Sequence, residues 1–168
     1  MDNTLIYYIE RLQLMGFFAG YPLIYALVNV IAGDQSKKAN AFVNRLVILL
    51  PFSYALTGVL FLGFVLKNLN PDYSIENIAQ QFTYLKIWGL LAVLFWIPFR
   101  KKSVISLLHS LVFFFFLIRD IFMHMTSYIG IDVIKNDMKV YTDSLLLNTG
   151  TLTVIVILHL IIRKYRET

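Results

Sequence analysis

The stretch GFFAGYP, Gly16–Pro22, places two glycines and a proline within seven residues, a density that marks a turn in a water-soluble chain. Its flanks decide otherwise. From Leu12 to Ala32 the chain is predominantly apolar, and about 20 such residues cross a hydrocarbon core. Inside that core the backbone must stay helical, because no water is present to bond to it. The stretch therefore reads as part of a membrane helix, kinked at Pro22. Gly16 and Gly20 stand at GxxxG spacing, with Ala19 and Ala26 extending the small face. Gly16, Ala19, Gly20 and Ala26 form a packing seam, set either between subunits of a homo-oligomer or against another helix of the same chain.

The composition extends this reading to the whole chain. Of 168 residues, 58% are hydrophobic and 15% charged, with a mean hydropathy of +0.69, values that belong to membrane proteins rather than water-soluble domains. No Pro/Ser/Gly-rich linker divides the sequence, so residues 1–168 read as one integral membrane domain. The absence of cysteine removes disulfides, thiolate metal sites and Cys nucleophiles. A net charge of +5 is explained by basic residues flanking apolar runs, and nucleic acid is not expected as a partner. Asp2 and Glu10 stand where a signal peptide would carry basic residues, so a cleaved signal peptide is not expected.

The fold class is all-α, a polytopic transmembrane helix bundle. Five spans are expected, at about 12–32, 46–66, 84–99, 103–123 and 145–162. The third is short, its apolar part being Ile87–Phe99. It is extended by a surface helix in which Ile75, Ile78, Ala79 and Phe82 recur at helical spacing. Four spans with this one re-entrant is the alternative. Thr126 to Ser144 reads as the longest outside loop.

Orientation follows from Lys and Arg. With the N-terminus outside and the C-terminus cytoplasmic, Lys37, Lys38, Arg45, Arg100, Lys101, Lys102, Arg163, Lys164 and Arg166 lie inside in short loops. Arg11, Lys67, Lys86, Arg119, Lys135 and Lys139 lie outside, spread over longer ones. This is the positive-inside pattern. It points to an integral protein of a cytoplasmic (inner) or plasma membrane.

Polar side chains within spans point to function when they face inward. On span four, Ser106, Ser110, Phe113, Leu117 and Asp120 recur at steps of three and four, with His109 beside Ser110. On span five, Asn148, Thr151 and His159 share a face. Ser106, His109, Ser110, Asn148, Thr151 and His159 are thus the candidate lining of a pore, transport pathway or sensing cavity. Arg119 and Asp120 form a charged pair at the outer end of span four, where an interfacial anchor is the plainer reading.

No HExxH, GxSxG, GxxxxGK[ST] or intramembrane carboxylate cluster occurs, so no enzyme is expected. No resident cofactor is expected either. The leading expectation is a non-enzymatic homo-oligomer or complex subunit embedded in the lipid bilayer. One rival is a small redox subunit holding haem b or a divalent metal between His109 and His159. Another is a sensor or effector that meets a soluble cytoplasmic partner through Lys37, Lys38 and Arg100–Lys102.

Overall fold

The computed structural model describes residues 14–33, 37–68, 83–96, 103–126 and 131–166. We label the helices α1 (described over 14–19), α2 (Tyr21–Gly33), α3 (Lys37–Asn68), α4 (Thr83–Val93), α5 (Ser103–Thr126) and α6 (Ile131–Arg166), with a single 3-10 turn, Leu94–Trp96, ending α4. No strand occurs among the described residues. Four helical stretches are long and apolar enough to cross a membrane: Leu14–Ala32, Asn44–Lys67, Ser103–Met123 and Lys135–Arg166. The fifth apolar helix, Ile87–Trp96, is shorter. The surface helix expected over Ile75–Phe82, and Arg100–Lys102, lie outside the described residues.

GFFAGYP neither turns back nor runs unbroken. The helix is interrupted for one residue at Gly20 and resumes at Tyr21 in the same span. The cause is local. Pro22 has no amide to give to the preceding turn, and at the break Gly20 N–H meets Ser144 Oγ at 2.7 Å.

The region expected as a long outside loop is largely helical. From Ile131 the backbone runs without a break into the last span, since no glycine or proline occurs between Ile131 and Thr149. Asp137 and Ser144 are buried, and Val140 and Tyr141 half-buried between them. These recur at steps of three and four, so this turn-by-turn face packs on the bundle. At 36 residues the helix is about 54 Å long.

Side-chain pairings fix the relative directions. Phe17 meets Phe64 and Phe61, while Tyr21 meets Tyr54, so the first span and α3 are antiparallel. Trp96 reaches the Phe52 carbonyl and Gly89 abuts Phe61, so α3 and α4 are antiparallel. Phe95 meets His109 and Trp88 meets Phe113, and α5 reverses again. Ser53 bonds Thr151, and Thr57 bonds Asn148, so α6 also opposes α3. Direction therefore alternates along the chain, and the first and last helices point the same way. α3 is central, with neighbours in α2, α4, α5 and α6. The core comprises Phe18, Tyr21, Leu50, Tyr54, Phe61, Phe95, Phe113 and Leu117 together with smaller side chains.

Candidate functional site

Two buried polar clusters flank that core. The first joins three helices. Asn148 on α6 uses both amide hydrogens, one to the Phe17 carbonyl at 2.9 Å and one to the Ser144 carbonyl at 2.8 Å. Thr57 Oγ1 lies 3.3 Å from Asn148 Oδ1 and 3.2 Å from the Ser53 carbonyl. Thr151 donates to the Asn148 carbonyl at 2.9 Å, and its oxygen is 3.0 Å from Ser53 Oγ. Ser53, Thr57, Ser144, Asn148 and Thr151 are all buried. A clasp of this kind requires helices in near contact, and Gly20 permits it. A Cβ on Gly20 would stand 2.7 Å from the backbone carbon and oxygen of Ser144, a distance no side chain tolerates.

The second cluster surrounds His109 on α5. Tyr54 OH is 2.6 Å from His109 Nδ1. Trp88 stacks on the imidazole with centroids 4.4 Å apart and planes at 19°, and its indole N–H donates to the His109 carbonyl at 3.2 Å. Phe95 approaches edge-on at 5.9 Å. His109 Nε2 is buried and has no hydrogen-bond partner among the described residues. Ser106 meets Tyr21 OH at 2.8 Å, one turn away from His109, and donates to the Ser103 carbonyl at 2.6 Å. Ser110 donates to the Leu107 carbonyl at 2.8 Å.

The six candidate lining residues are therefore distributed over different surroundings. Asn148 and Thr151 lie in the clasp, Ser106 and His109 beside the aromatic cluster, and Ser110 bonds back to its own helix. His159 is exposed, and none of the hydrogen bonds or ring contacts around His109 involves it. Of the seam residues, Gly16, Ala19 and Gly20 are buried, Gly16 against Val140 and Gly20 against Ser144 of the same chain. Ala26 is exposed. Arg119 is exposed and Asp120 half-buried. Among the described residues no group of three or more His, Cys, Asp or Glu side chains is placed to hold a metal ion.

Sequence reasoning passed over Ser53 and Thr57, which stand four residues apart in an otherwise apolar span; that spacing was a usable signal. Tyr54 and Trp88 carried none, because an aromatic ring in an apolar helix looks the same whether it packs or hydrogen-bonds. Ser144 sat one residue before the expected span. No known protein family matches the chain, and no curated protein or solved structure matches it.

Proposed function

We propose that the chain is a non-enzymatic integral membrane protein of five crossings, N-terminus outside and C-terminus cytoplasmic, working as a subunit of a homo-oligomer or larger membrane complex. The C-terminal half of α6 is its assembling helix. The observation that carries this reading is the exposure of every residue of α6 from Ile157 to Arg166. Val154, Ile157, Leu158, Leu160, Ile161 and Ile162 all lie open, whereas the N-terminal half of the same helix is clasped. Thr149, Gly150 and Thr153 are also open, and a Cβ on Gly150 would meet nothing within 4 Å. Small residues of this kind let a second helix come close. The alternating helix directions support the odd number of crossings.

Within one chain Ser106, Ser110, Asn148 and Thr151 already bond to protein groups, so a transport pathway in this reading runs between copies. The protein contains no cysteine, which makes the test direct. Single variants Thr153→Cys and Ile157→Cys should cross-link copies in native membranes on oxidation, while Ala55→Cys in the core should not. Failure of both exposed positions, with a monomer mass from lipid nanodiscs, overturns the proposal.

A second reading is favoured by the unpartnered His109 Nε2, an atom suited to ligate haem iron or a divalent metal. Against it stand the enclosure of that nitrogen and the exposure of His159. An absorption spectrum with metal analysis separates the two. A Soret band lost in His109→Ala supports the redox reading, and a colourless, metal-free preparation retires it.

A further inference from the structure

A groove of about 360 Å³ opens between α1, the end of α3 and the clasped half of α6, lined in part by Phe17, Phe64, Leu147, Lys139 and Asp143. This is within the size range of small-molecule sites. Lys139 and Asp143 are exposed, stand one helical turn apart on α6, and form no ion pair with each other or with another described residue. A cation and an anion are thus held side by side above an apolar floor. Their depth identifies what they would meet. Measured along α6 from Arg163, Asp143 lies about 30 Å and Lys139 about 36 Å away. With Arg163 at one face of a hydrocarbon core roughly 30 Å thick, both charges reach the headgroup layer of the opposite leaflet. On α3, Phe64 lies about one turn inside Lys67, at the level of the upper acyl chain.

We infer that this groove binds a zwitterionic phospholipid of that leaflet, with an acyl chain over Phe17, Phe64 and Leu147, the headgroup phosphate at the Lys139 ammonium, and the headgroup amine folded back toward Asp143, which lies nearer the hydrocarbon. Side chains at i and i+4 rise from Cβ atoms about 5–6 Å apart, a spacing that a phosphate and an amine joined by two carbons can bridge. An anionic lipid satisfies Lys139 but sets its negative charge beside Asp143, so selection follows from the pair rather than from either residue. The inference does not depend on assembly through α6, because the groove belongs to the other half of that helix.

The test is native mass spectrometry of the full chain in detergent, titrated with dioleoyl phosphatidylethanolamine, dioleoyl phosphatidylglycerol and glycerophosphoethanolamine. One phosphatidylethanolamine should bind per chain, about tenfold more tightly than phosphatidylglycerol, with Lys139→Gln and Asp143→Asn each losing about tenfold. Asp143→Lys should reverse the preference toward phosphatidylglycerol. Leu147→Trp should abolish binding by filling the floor. Both charged residues are exposed, so their variants leave packing intact. Equal binding of the two lipids, or no effect of the charge variants, overturns the inference. Glycerophosphoethanolamine binding as tightly as the lipid also overturns it, since the ligand would then be a free solute.

Discussion

The clasp around Asn148 and the cage around His109 are both polar sites buried beside one aromatic core, but they differ in completeness. In the clasp the Asn148 amide hydrogens and oxygen are all bonded, across three helices. In the cage one imidazole nitrogen is bonded to Tyr54 and the other to nothing described. A satisfied polar network in lipid ties helices together, because separating them strands groups that the hydrocarbon cannot solvate. An unsatisfied atom costs about 1–3 kcal/mol relative to an apolar replacement. The first site therefore explains stability, and the second is where stability has been given up.

The largest effect should come from the glycine that lets the clasp close. In Gly20→Val the added atoms meet Ser144 and Leu145 backbone, which cannot swing aside as a side chain can. The helices must separate, and Gly20 loses its bond to Ser144 Oγ. We expect a loss of about 3 kcal/mol or more, measured by SDS-induced unfolding in bicelles. An unfolding midpoint close to wild type would show that the clasp does not hold the bundle.

Asn148→Leu should follow, at about 2 kcal/mol. It removes bonds to Phe17, Ser144 and Thr57 at once and leaves the buried Phe17 carbonyl and Thr57 hydroxyl with fewer partners. Interhelical bonds in membranes average below about 1 kcal/mol each, so the figure rests on several being lost together. Thr57→Val in the same background should add little, since the two residues act as one unit. Full additivity in that cycle would contradict the network.

The parts of this architecture that the sequence announced are those that depend on length and polarity. Leu12–Ala32, Leu46–Leu66 and Ser103–Met123 are apolar runs, and each corresponds closely to a long helix. Asn148 and Thr151 announced themselves as polar residues on one face, and they are buried. What the residues could not disclose was partnership. Asn148 has the same periodicity whether it faces a water pathway or Thr57, and only the approach of α3 distinguishes the two. His109 and His159 were both candidate lining residues, yet Tyr54, Trp88 and Phe95 enclose His109 while His159 is exposed. The helix over Ile131–Ser144 was hidden by its charges, which read as a loop. Its buried face, with Asp137, Val140 and Ser144, is legible only as a 3/4 repeat carrying a charged residue.

The cage offers a smaller and sharper contrast. His109→Phe removes the unpartnered Nε2 but strands Tyr54 OH, so the single variant should lose about 1 kcal/mol. Adding Tyr54→Phe removes the stranded hydroxyl, and the double variant should recover that loss. The clasp differs, because there Thr57→Val neither recovers the loss from Asn148→Leu nor adds much to it. If the double variant is less stable than His109→Phe alone, the hydroxyl and imidazole belong to a larger satisfied network, and the distinction between the two sites fails.

The smallest effect tests whether proximity alone explains the glycines. A Cβ on Gly63 would meet nothing within 4 Å, and Gly63 lies on the exposed side of α3, the same helix whose Ser53 and Thr57 enter the clasp. Gly63→Ala should therefore gain about 0.5 kcal/mol from helix propensity, opposite in sign to Gly20→Val. Unfolding in SDS reads the sign directly. A loss at Gly63 as large as that at Asn148 would mean that a second helix seats there in the folded protein, and the assembling surface would then have to include α3 as well as α6.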